Sequence, residues 1–187
     1  MTREEYLNAA TALMSPWFNA QGYPLPPVRV SVGIPAGGKR GKLKAIGQCW
    51  SPAASADETT EVFICPSQSD ATAVLAILVH ELVHAAVGLE HGHKGAFKRL
   101  ALALGLEGKM TSTTAGADLT ARLTAIISQL GAYPHAALNT ALSGRKKQST
   151  RMIKLECDDC GWTCRTAQKN VDAGLPTCHC GGSINVA

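Results

Sequence analysis

With 187 residues, a formal net charge of +4 and 45% apolar residues, the chain has the composition of an ordinary globular protein of one or two small domains. No apolar run reaches the roughly 20 residues that a membrane-spanning helix needs. The start, MTREEYLNAATALM, mixes acidic and basic residues and lacks the apolar segment of a signal peptide, so a cytoplasmic protein without a membrane partner is expected.

Thr2 and Glu5 form a capping box ahead of Tyr6, Leu7, Ala10, Leu13, Met14 and Trp17 at helical spacing, which predicts a helix over 3–20 ended by Gly22 and Pro24. Val28, Val30 and Val32 alternate as a half-buried strand does. The segment 35–44, PAGGKRGKLK, lacks the fixed positions of a phosphate-binding loop and reads as a flexible basic hairpin. Two further strands are expected over 45–50 and 61–65. Ser67 and Asp70 are cap residues for a helix over 68–87 that Gly88 stops. A shorter helix over 94–104 ends at Gly105. Residues 106–117 show little periodicity and read as loop or short strand; Met110 is either a residue beneath a bound metal or, as a lone Met more often is, ordinary packing. Leu119, Leu123, Ile126, Ile127 and Leu130 give the segment 118–130 one apolar face.

The helix over 68–87 carries the chemistry. Its HELVH segment puts His80 and His84 at i and i+4, on one helical face, where both imidazoles can reach one cation. Glu81 lies about 100° round from His80, close enough to address a metal-bound water without ligating the metal. Zinc held by such nitrogens with a water in its open position is a catalytic arrangement. The metal lowers the water's pKa to about 7, and a neighbouring carboxylate can take its proton. Val74, Leu75, Ile77, Leu78, Val79, Leu82 and Val83 mark a buried helix, in which unpaired His and Glu would cost on the order of several kcal/mol.

A third ligand must come from downstream. The metzincin pattern places Gly three residues after the second His and another His three beyond it; here Gly88 and His91 each come one residue late. His91 and His93 are both candidates, with Glu90 close by. HELVHAA followed by GHKGAFK, with Phe97 one helical turn after His93, resembles the SprT-like zinc metallopeptidases. That family includes Spartan-type proteases acting on proteins bound or crosslinked to DNA, and the chain is also similar to its phage-encoded members. The resemblance implies His80, His84 and His93 as zinc ligands and Glu81 as general base. It also implies a small sheet, carrying Cys49-Trp50 and EVFIC, whose edge strand holds an extended substrate. Lys94 stands where the family has Gly directly after the third His, and Gly95 follows.

Of the seven cysteines, Cys49 and Cys65 sit apart in apolar segments and read as small buried hydrophobes. Cys157-Asp158-Asp159-Cys160-Gly161 reads as a zinc knuckle, two thiolates followed by a turn glycine. Its partner is Cys178-His179-Cys180-Gly181-Gly182. Strand-like 152–155, 162–165 and 183–186 complete the expectation of a zinc ribbon whose folding energy comes from the metal. The second knuckle is CxC, with Thr177 in the usual cysteine position, so Cys164 and His179 are reserve ligands. An iron–sulfur site using Cys157, Cys160, Cys164 and a fourth cysteine is the rival to zinc. His135 is not expected to ligate.

Charge sharpens the division of the chain. Up to Gly131 there are 11 Lys+Arg against 10 Asp+Glu, a net of +1; from Ala132 there are 7 against 4, a net of +3. The smaller part holds most of the excess, as suits a nucleic-acid partner or a merely soluble basic tail. The expected fold is α+β. A small zincin-type metallopeptidase domain, helices plus a three-stranded sheet, covers 1–131. A linker over 132–150 contains Arg145, Lys146 and Lys147, and a zinc ribbon covers 151–187. The expected function is zinc-dependent cleavage of peptide bonds in DNA-associated proteins. One catalytic zinc would sit on His80, His84 and His93, and one structural zinc on Cys157, Cys160, Cys178 and Cys180, with DNA contacts through the basic C-terminal part. The alternative is a non-catalytic two-zinc nucleic-acid-binding or transcription-associated module. Glu81 separates the two, because a structural zinc needs no base.

Overall fold

A computed structural model of the chain describes residues 1–36, 45–139 and 152–187. The fold is mixed α+β and divides into two compact units, Met1–Ala141 and Leu142–Ala187. Among the described residues no helix is long and apolar enough to cross a membrane.

The first unit opens with α1 (Arg3–Ala20), started by the expected reciprocal cap: Thr2 Oγ1 accepts from the Glu5 N–H, and the Glu5 carboxylate accepts from the Thr2 N–H. Strands β1 (Val28–Val32), β2 (Gly47–Trp50) and β3 (Thr60–Ile64) form a sheet in the order β1-β3-β2, with β1 parallel and β2 antiparallel to β3. Val30, Val62 and Ile64 are buried in the core, while the alternate positions Ser31, Glu61 and Phe63 line a depression on the other face. The Cys65 N–H donates to the Ile46 carbonyl, so alternation along β2 turns the N–H and C=O of Gly47 and Cys49 away from β3, toward the edge on which no described strand pairs.

Helix α2 (Ala71–Val87) is the centre of this unit. Leu75, Leu78, Val79, Leu82 and Val83 are completely buried. Burial of one such side chain contributes about 1.5–3 kcal/mol, which makes α2 the anchor of the core. It packs against α1, β2, β3, α3 (Ala96–Ala103) and α4 (Ala117–Leu130). Asp70 Oδ1 accepts from the Ala73 N–H and is the cap. Ser67 is not a cap: its hydroxyl meets Cys65 Sγ and the Gln68 side chain, in a turn closed by the Gln68 N–H on the Cys65 carbonyl. That turn delays the helix to Ala71.

The weakly periodic stretch after α3 is a hairpin, β4 (Leu106–Lys109) with β5 (Ser112–Ala115), and β5 packs on α2. Its pattern is faint because Leu106 is its only buried strand residue. Met110 packs on the main core.

The segment from 132, expected as linker, is held on the first unit as far as Leu138. Tyr133 is buried edge-on against Tyr6, centroids 5.3 Å apart, and the Tyr6 hydroxyl donates to the Gly131 carbonyl. His135 Nε2 and the Leu138 N–H both donate to the Pro66 carbonyl at 2.7 Å. Burial of an aromatic pair and satisfaction of that carbonyl explain the docking. The basic positions 37–44 and the rest of the expected linker, with Arg145, Lys146 and Lys147, lie outside the described residues.

The second unit contains β6 (Ile153–Cys157), β7 (Thr163–Thr166) and β8 (Ile184–Val186), antiparallel in the order β7-β6-β8, with α5 (Gln168–Ala173) as an unanticipated short helix. Its buried cluster is Leu155, Cys157, Cys178 and Ile184. So small a core supplies little stability by itself.

Candidate metal centres

Three elements converge on the histidines. Helix α2 presents His80 and His84 on one face. Gly88, at φ 93°, ends α2 and leads into a 3₁₀ turn, Leu89–His91; Gly92, at φ 50°, then redirects the chain. His93 thereby returns to α2. His80 and His93 Nε2 atoms are 3.3 Å apart, and those of His84 and His93 3.2 Å. Phe97 of α3 is fully buried beneath them, its ring centroid 4.3 Å from that of His84, 4.9 Å from His80 and 5.0 Å from His93. Thr113 of β5 completes the set: its hydroxyl lies 2.8 Å from His80 Nδ1.

These contacts fit a cation. With Nδ1–H donating to Thr113, His80 Nε2 is a bare lone pair directed at another ring nitrogen. Tetrahedral zinc with bonds of 2.0–2.1 Å sets nitrogen ligands about 3.3–3.4 Å apart, close to the spacing found. Burial pushes the pKa of His80 down to about 4 and that of His84 to about 3, and lowers His93 as well, so the rings stay neutral and able to ligate at neutral pH. His91 lies outside the group; its Nε2 is 3.9 Å from the Glu90 carboxylate.

Glu81 belongs to no ligand set. It is 7% exposed, and burial pushes its pKa up to about 8, partly opposed by the Cys49 backbone N–H that donates to it. Together with the three histidines it lines an open cleft of about 500 Å³, bordered by Ile46 and Gln48 on one side and by Leu89, Thr111 and Ser112 on others. Cys49, expected as a small buried hydrophobe, also lines this cleft and is only partly buried; Cys65 is fully buried.

In the second unit, Sγ of Cys157 is 3.6 Å from that of Cys180, and Cys160 Sγ is 3.6 Å from Cys178 Sγ. Those separations are far beyond a disulfide and near the roughly 3.8 Å edge of a tetrahedron with 2.3 Å zinc–sulfur bonds. The Cys160 N–H pulls the Cys157 thiol down to about 7, favouring the thiolate. Gly161 sits at φ 69°, as the knuckle turn demands. Cys164 pairs with Leu155 across β6–β7 and lies outside the four-thiol group, and His179 Nδ1 is 3.6 Å from Cys178 Sγ.

Among the described residues two groups could therefore hold metal ions, three imidazoles in one unit and four thiols in the other. No family model, curated protein or solved structure matches the chain. Thr113 escaped the sequence reading because nothing in its weakly periodic stretch marks it. Gly47, beside Glu81, did leave a signal: a glycine inside a strand pattern often marks a close approach.

Proposed function

We propose that the chain is a zinc-dependent peptidase acting on DNA-associated proteins, as its SprT-like resemblance implies, with a zincin-type first unit and a zinc ribbon as the second. The observation that carries this reading is a buried, non-ligating carboxylate, Glu81, on the same cleft as three convergent imidazoles. A purely structural metal site would not need it.

A zinc ion on His80, His84 and His93 would supply Lewis acidity to the scissile carbonyl and to a water, and its charge favours ionised Glu81. Glu81 takes the water's proton as the water oxygen bonds to the carbonyl carbon. It then passes that proton to the leaving amine nitrogen as the C–N bond breaks. Thr113 keeps His80 in the tautomer whose Nε2 is free. The outer edge of β2, unpaired among the described strands and with the Gly47 N–H and C=O turned outward, offers hydrogen bonds to an extended substrate backbone. In the second unit the thiols of Cys157, Cys160, Cys178 and Cys180 would hold a structural zinc, and Lys154, Arg165, Lys169 and the exposed Trp162 support DNA contact there.

The test compares the parent with Glu81→Gln for zinc content and for cleavage of a DNA-bound protein. Gln keeps size and reach but cannot accept the proton, so zinc stays bound and cleavage falls by about 10²–10⁴-fold. Undiminished cleavage by the Gln variant removes Glu81 from this role. A zinc-loaded parent that cleaves nothing, with or without DNA, favours the binding-module alternative.

A further inference from the structure

We propose that β2 is the positioning element for Glu81: Gly47 leaves the space its carboxylate occupies, and the Cys49 N–H holds the carboxylate there. The inference rests on the reading of Glu81 as the base and names what aims it. Glycine inside a strand costs stability relative to alanine, so its presence calls for a reason. Conformation is not the reason here, since Gly47 is absent from the positive-φ glycines. Space is. A Cβ at Gly47 would stand 2.5 Å from Glu81 Oε1, 3.0 Å from Glu81 Cγ and 2.6 Å from Ile77 Cγ2. Side-chain carbons do not approach other atoms that closely, so one of these groups would have to move.

The same strand supplies the restraint. Residues 47 and 49 share the edge of β2 that faces away from β3, and the Cys49 N–H donates to the Glu81 carboxylate. The edge is thus divided. One donor serves the base, while the Gly47 N–H and C=O remain for a substrate backbone. Substrate and base would then be registered against the same short strand, β2 (Gly47–Trp50). Relieving a 2.5 Å contact requires a shift approaching an ångström, and misplacement on that scale can cost about 100-fold in rate. Gly47 itself touches no reacting atom; it acts through Glu81.

The test uses the zinc-loaded full chain and the variants Gly47→Ala, Glu81→Ala, Ile77→Ala and the Gly47→Ala/Ile77→Ala double. Zinc content, kcat, KM, Tm and the Cys49 amide proton shift are measured for each. Gly47→Ala is expected to keep its zinc, lose about 100-fold in kcat with KM within about twofold, and move the Cys49 amide toward its Glu81→Ala position. The double variant removes the aliphatic obstacle and leaves only the carboxylate in the way. It is expected to recover Tm yet keep the kcat loss relative to Ile77→Ala alone, which also guards against a poorly folded single variant. Full kcat in folded Gly47→Ala, a loss confined to KM, or a Cys49 amide indifferent to Glu81→Ala would each overturn the proposal. If the parent cleaves no peptide bond, the peptidase reading fails, and the amide shifts still decide whether β2 aims Glu81.

Discussion

His80 Nδ1 lies 2.8 Å from the Thr113 hydroxyl, which places a residue of the β4–β5 hairpin at the outer nitrogen of an α2 imidazole. Outer partners of this kind orient a ligand and raise its basicity. Thr113→Val keeps the branched shape and removes the acceptor. Zinc affinity at the histidine site should fall by about 10–100-fold, with the cysteine site unaffected, in competition against a chelator. Unchanged affinity would mean that the contact is incidental.

His91 and His93 make opposite predictions. His93→Ala should bind one zinc fewer per chain by elemental analysis, because its Nε2 faces both His80 and His84. His91→Ala should bind as much as the parent. The reverse pattern would place the ligand in the 3₁₀ turn.

The buried carboxylate gives the metal-free protein a pH signature. The pKa of Glu81 is raised from 4.5 to about 8 in the fold, so between those values the folded state holds a proton that the unfolded state has released. Stability is therefore lost as pH rises through that window. Glu81→Gln, which never ionises, should be the more stable protein at pH 7 by about 2–3 kcal/mol, with the gap closing toward pH 4.5. Thermal unfolding of the two metal-free proteins across this range checks the sign. A constant gap would show that burial does not control this carboxylate.

Metal removal should affect the second unit first. Its buried cluster contains two of its own candidate ligands, Cys157 and Cys178, so a metal bound there would couple binding to folding. Cys157→Ala should lose one zinc and the dispersed amide spectrum of 152–187, while the first unit keeps its signals. Cys164→Ser should retain the metal. Iron in the purified protein, or zinc loss in the Cys164 variant, would argue for another ligand set.

What could be read from the sequence followed the range of the interactions. The α1 capping box and the paired histidines of α2 were legible because they depend on neighbours within one helical turn. Ser67 and Asp70 looked equivalent as caps; only the turn at Gln68, outside any periodic pattern, decides for Asp70. Thr113 was invisible because its meaning depends on a residue 33 positions away. Gly47 went unread inside the expected strand over 45–50, because the residues that approach it, Ile77 and Glu81, are distant in sequence. Tyr133, Pro134 and His135 have the composition of a linker, and nothing local reports that Tyr6 waits to receive the tyrosine ring.

The docked segment after α4 also determines where this protein can be cut. Ending an expression clone at Gly131, the boundary that composition suggests, would uncover the Tyr6 ring and strip the Pro66 carbonyl of both its donors. Pro66 lies in the connection between β3 and α2, the two elements that carry the core strand and the histidines. A fragment that retains Leu138 should purify as a monodisperse species, whereas one stopping at Gly131 should be the more readily degraded and the harder to concentrate.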